Sequence, residues 1–124
     1  MVQKINLATC EADNGSNSFA GLLAKKGDNV LRDSFIFFSP ETSVARRLTV
    51  GYTVVYPKCR TNGHAHGDKE EVYFILAGRG QARVGEEVFE VGPGDCFYVT
   101  PGLFHGVENI GTVPLTYLWA IADL

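Results

Sequence analysis

The segment GHAHGDKEEVYFILAGRG, from Gly63 to Gly80, concentrates side chains that ligate metal ions. His64 and His66 are separated by one residue, Glu70 and Glu71 follow, and the last of the chain's three histidines, His105, stands after PGLF. In an extended segment, residues two apart point to the same face with Cα atoms about 6.6 Å apart. Twist and rotamer choice can then bring both rings onto one ion at about 2.1 Å. Glu70 and Glu71 are neighbours, so only one of them can share the inward face of the next strand, and the strand pattern leaves that choice open. Gly67-Asp68-Lys69 supplies the reversal or bulge before that strand. Against this stands a plainer possibility: a histidine on an apolar strand is usually a satisfied core residue, and paired glutamates at a strand start are usually solvated.

The elements that must position these groups are strands. SFIFF, RRLTVGYTVVY, EVYFILA, QARVG, EVFEVG, DCFYVT, HGVENI and PLTYLWAIA are short runs rich in β-branched and aromatic residues. Pro57, Gly63, Gly78-Arg79-Gly80, Gly85, Gly92-Pro93-Gly94, Pro101-Gly102 and Gly111 punctuate them. Close, even spacing with no long helix between the runs predicts an all-β antiparallel sandwich or barrel. From Val72 to Leu76 both parities are apolar, so one side must line an interior while the other packs on a second sheet or a partner subunit. A homodimer is the resulting expectation. Ahead of Ser34 the pattern is weaker: polar turn formers surround one apolar cluster, Phe19 to Ala24, readable as a helical turn or a lid. The division expected is an irregular extension over 1–33, acting as lid or dimer arm, and a barrel over 34–124.

With these residues in view, the sequence resembles the cupin superfamily. The first motif of that family, G-x5-H-x-H-x(3,4)-E-x6-G, is met by His64, His66, Glu71 and Gly78. The second, G-x5-P-x-G-x2-H-x3-N, is met by Gly94, Gly102, His105 and Asn109. Lys58 stands where the first motif has glycine, and Thr100 where the second has proline, with Pro101 following at once. Both departures concern turn geometry. The resemblance implies a double-stranded β-helix, a jelly-roll-like barrel, with His64, His66, Glu71 and His105 as metal ligands, and so selects Glu71 over Glu70. Three neutral imidazoles and one carboxylate suit Mn, Fe, Ni or Zn better than Ca or Cu(I). Four protein ligands leave two positions open on an octahedral ion.

The resemblance implies one of two functions. The first is a small metalloenzyme of oxygenase, decarboxylase or sugar/keto-acid isomerase type acting on a small oxygenated molecule. The second is a non-catalytic small-molecule or sugar-binding cupin. Tyr73, two residues beyond Glu71 on the same face, is a candidate catalytic group, and Tyr98 is a second. Val107 and Asn109 share the parity of His105. Tyr52, Tyr56, Arg83 and Trp119 are pocket candidates of undetermined facing, and Arg46-Arg47 is a candidate anion contact.

Composition narrows the field. With 124 residues, a single domain can bury a core without disulfide staples. A net charge of -3 offers no basic field for nucleic acid. No apolar run approaches the roughly 20 residues of a membrane helix, and the N-terminus lacks a signal-like apolar stretch, so a cytoplasmic protein is expected. Cys10, Cys59 and Cys96 form no CxxC pair and read as small buried hydrophobes. The glycines of AGRGQARVG read as a hairpin turn, since no helix follows to receive a phosphate.

Overall fold

A computed structural model of the protein describes residues 2–13 and 31–124. The Phe19 to Ala24 cluster lies outside the described residues. Eight strands form: β1 (Arg32–Phe38), β2 (Leu48–Val55), β3 (Lys69–Ala77), β4 (Gly80–Val84), β5 (Glu87–Val91), β6 (Cys96–Val99), β7 (His105–Asn109) and β8 (Leu115–Asp123). They make two antiparallel sheets, ordered β1-β2-β8-β3-β6 and β5-β4-β7. This is the double-stranded β-helix that the resemblance implied. Among the described residues the N-terminal segment contributes a 3-10 turn, Leu7–Thr9, and lies along β1, where the Asp13 amide donates to the Ser34 carbonyl at 2.7 Å. No helix among the described residues is long and apolar enough to cross a membrane.

The core fills the space between the two sheets. Val55, Tyr73, Ile75, Val99, Leu115 and Tyr117 from the larger sheet meet Ala82, Val91 and Val107 from the smaller. Strand parity sets this: in β3 the odd residues Glu71, Tyr73 and Ile75 are buried and the even ones turn out. The outward set, Val72, Phe74 and Leu76, is exposed, so within one chain the second sheet packs on the inner face alone.

Between β2 and β3 the chain runs antiparallel beside β7 as an irregular extra strand. The Thr61 amide donates to Val107 at 2.8 Å, and the Asn109 amide donates to Cys59 at 2.8 Å. Lys58 starts this run with φ of +63°, the only non-glycine with positive φ among the described residues. The motif position that calls for glycine is therefore left-handed here, and a lysine holds it at the cost of Cβ crowding. Lys58→Gly should raise stability by up to about 1 kcal/mol, measured as a higher midpoint in thermal or urea unfolding; a lower midpoint would show that the lysine side chain contributes more than the backbone loses.

Candidate metal centre

Two elements carry the histidines to one place. The extended segment ahead of β3 holds His64 and His66, and the start of β7 holds His105. His64 and His105 exchange both backbone hydrogen bonds, at 3.0 and 2.8 Å, which fixes the two residues side by side. The Gly102 amide donates to the His66 carbonyl at 2.8 Å and ties the same segment to the turn before β7. Glu71 reaches in from β3 across the barrel. The ligand atoms of His64, His66, Glu71 and His105 all lie within 4.8 Å of one another. Ring centroids of His64 are 4.4 Å from those of His66 and 4.5 Å from those of His105. Glu71 and His105 are buried, His66 is half-buried and His64 is exposed, so the cluster opens to solvent on the His64 side.

The two histidines His64 and His105 differ in how readily they take a proton. Although His64 is the most exposed of the four, partial loss of hydration within the cluster, with His105 and His66 beside it, holds it below the ordinary imidazole value, which keeps it neutral. His105 Nδ1 lies 3.2 Å from the Leu103 carbonyl, and a proton donated there leaves the Nε2 lone pair facing the cluster. Burial lowers His105 as well, but the Glu71 carboxylate and the Leu103 carbonyl outweigh it and hold the imidazole above its usual value.

Nε2 of His105 and Oε2 of Glu71 stand 2.9 Å apart, both buried, and neither makes a hydrogen bond. Buried polar atoms without partners are rare and costly. Two such atoms facing each other within a cluster of lone pairs are what an ion between them would satisfy. The residues present fit a divalent transition ion.

His64, His66 and Glu71 of the cluster line a cavity of about 280 Å³. Its far wall is built from Arg32, Ser34 and Ile36 of β1, Thr53 of β2, and Tyr117, Trp119 and Ile121 of β8. Trp119 donates its Nε1 proton to Thr53 Oγ1 at 2.8 Å, and the Thr53 and Ser34 hydroxyls are 2.8 Å apart. Gly51 makes room for the indole: a Cβ there would lie 2.2 Å from Trp119 Cζ2.

The sequence-based candidates separate clearly. Tyr73 is brought to the site; its ring sits 6.1 Å from that of His105 and stacks on Phe97 at 4.8 Å. Burial, with Tyr117 and Glu71 nearby, pushes its hydroxyl well above the ordinary range, so it retains its proton. Tyr98 is not brought there. It pairs with Val72 across β6–β3, points outward, is 54% exposed and donates to Glu70 Oε1 at 3.0 Å. Trp119 lines the cavity, whereas Tyr52 packs on Phe35 on the outer face and Arg83 bonds the Gly85 carbonyl at 3.0 Å. Tyr56 is bonded to Asp33, and burial with that contact pushes its hydroxyl up to about 12. Arg46 and Arg47 are exposed and lie away from the cavity lining. Asn109 shares the His105 face as the parity required, but its amide is consumed by backbone: it donates to Val55 and Val113 at 2.9 and 2.8 Å and accepts from Gly111 at 2.8 Å. Arg32, Thr53 and Tyr117 were not picked out by the sequence; their only signal is inward parity on β1, β2 and β8.

An uncharacterized protein of Methanocaldococcus jannaschii is 49% identical over 55 residues, 44% of each chain. Glucose-6-phosphate isomerase of Thermococcus litoralis is 33% identical over 109 residues, covering 77% of this chain and 56% of that one. The chain spans about half the length of these curated relatives. A crystal structure described as a predicted oxalate decarboxylase of Thermotoga maritima superimposes with a TM-score of 0.78 at 20% identity, over 98% of this chain and 100% of that chain. Residues 51–121 match the model of the cupin domain. With that match spanning both ligand-bearing segments, the chain belongs to the cupin domain family.

Proposed function

We propose that the protein is a metal-dependent enzyme whose His64, His66, Glu71 and His105 hold one divalent transition ion, Mn, Fe, Ni or Zn, beside a cavity for a small oxygenated molecule that chelates it. The observation that carries this reading is the buried pair Glu71 Oε2 and His105 Nε2, 2.9 Å apart without a hydrogen bond. When bound, such an ion supplies Lewis acidity to substrate oxygens. The chain's own residues do the rest. Leu103 orients the His105 ring, Tyr73 keeps its proton and stands against the Glu71 carboxylate, and Tyr117 and Trp119 give the cavity an aromatic wall. Tyr73 acts by positioning Glu71, since a hydroxyl held so far above its usual range is no general base near neutral pH. Similarity to a glucose-6-phosphate isomerase and to a predicted oxalate decarboxylase supports isomerase or decarboxylase chemistry, alongside an oxygenase of the same ligand set.

The test loads metal-free protein with each of the four ions and screens oxalate, 2-oxo acids, 2-hydroxy acids and sugar phosphates by NMR. Turnover that depends on the ion supports the enzyme. Tight binding without turnover supports a binding protein instead, and no ion uptake overturns both.

A homodimer through the outer face of the larger sheet belongs to the same proposal. It is supported by the exposed Val72, Phe74, Leu76 and Leu118 on adjacent strands. Sedimentation equilibrium should give twice the chain mass, and the mass of one chain would contradict it.

A further inference from the structure

Among the described residues lining the cavity, Arg32 is the only lysine or arginine. It stands on β1 with Ser34 and Ile36, on the face that lines the same cavity as His64 and His66. The other polar groups of that wall are occupied with each other, through Ser34, Thr53 and Trp119. Arg32 is different: its partner is a carboxylate from a separate segment. Asp13 Oδ2 lies 2.9 Å from Arg32 Nη1, and Asp13 also lines the cavity.

We infer that Arg32 is the residue that recognises the substrate's anionic end, that the substrate is a short carboxylic acid spanning from the ligand cluster to Arg32, and that Asp13 is a built-in occupant which the substrate carboxylate displaces. This rests on the proposed metal site. The contact with Asp13 shows that a carboxylate can approach the guanidinium from the cavity side. Both side chains are partly exposed, at 23% and 40%, and an ion pair so placed is weak enough to exchange. A cavity of about 280 Å³ holds roughly nine water volumes, which suits a short-chain acid. Charge points the same way, because an ion of +2 on three neutral imidazoles and one carboxylate leaves the centre positive, with a guanidinium opposite. A carboxylate is favoured over a phosphate because one planar fork matches two carboxylate oxygens, and no second lysine or arginine among the described lining residues is present to balance a dianion.

The test uses Mn(II)-loaded protein, its metal content measured in the same samples, and calorimetric binding of three probes. One is 2-oxoglutarate, the second is 2-oxovalerate, which has the same chelating head but a methyl in place of the far carboxylate, and the third is 3-phosphoglycerate. Wild type should bind 2-oxoglutarate at least tenfold tighter than 2-oxovalerate. Arg32→Gln should weaken 2-oxoglutarate by about ten- to a hundredfold and leave 2-oxovalerate within about twofold. Asp13→Asn should tighten 2-oxoglutarate by about three- to fivefold, a direction that a purely structural pair would not give. If Arg32→Gln unfolds, Arg32→Lys and Asp13→Asn still report, because Asp13 lies outside the strands. Equal binding of the two oxo acids, no binding of 2-oxoglutarate, or weakening by Asp13→Asn overturns the inference, and preference for 3-phosphoglycerate overturns its carboxylate assignment. If any of these occurs with one ion per chain bound, only the role of Arg32 fails; if no ion is taken up, the metal site itself has failed.

Discussion

Replacing His66 with alanine should lower affinity for divalent transition ions at least about a hundredfold while the sandwich stays folded. The loss is large because removing one of four converging donors takes away a full metal–nitrogen bond, and even the partners that merely orient such donors are worth about ten- to a hundredfold. The fold should survive because His66 is only half-buried and its segment is held by backbone: the Gly102 amide donates to the His66 carbonyl whatever the side chain. A stability change within about 1 kcal/mol in metal-free protein, by urea unfolding, together with lost stoichiometric binding, is the expected pair of results. Retained full occupancy would remove His66 from the ligand set.

Asn109→Ala should behave in the opposite way, costing about 3 kcal/mol of stability with the ligands left in place. Asn109 is 1% exposed and makes three hydrogen bonds to backbone, so the variant loses all three and leaves the carbonyls of Val55 and Val113 short of a partner. Each such bond is worth roughly 1 kcal/mol. At about 3–5 °C per kcal/mol for a domain of this size, the midpoint should fall by about 10 °C or more. Metal affinity at a temperature where the variant is folded should stay within a few-fold of wild type. Weakened metal binding in folded protein would show that Asn109 shapes the site directly.

The contrast between these two residues shows what the sequence made legible. His64, His66 and His105 could be read as one site because the chain has no other histidines and their spacing matched a family pattern. The eight strands were legible because β-branched and aromatic runs alternate with glycine and proline. Facing was harder. Tyr73 followed from Glu71 by counting two along one strand, but the direction of Tyr98 depends on the β3–β6 register, which pairs it with outward Val72. Arg32 was missed as well. It falls in the 1–33 stretch expected to be an irregular extension, yet it is the first residue of β1, and pairing of β1 with β2 and of β2 with β8 sets it in the cavity lining beside Tyr117 and Trp119. Trp119 likewise became a wall residue because Gly51, on another strand, left space for its ring. Lys58 was seen as a departure from a glycine position, and the backbone there is left-handed, the conformation that glycine adopts most easily.

The most direct measurement is the metal content of protein purified without chelators and then saturated with Mn(II), by inductively coupled plasma mass spectrometry. One divalent ion per chain, lost in His66→Ala and in His105→Ala, is the result that the convergence of Glu71 and His105 requires. Wild-type protein that takes up no transition ion, or variants that keep the full complement, would contradict it.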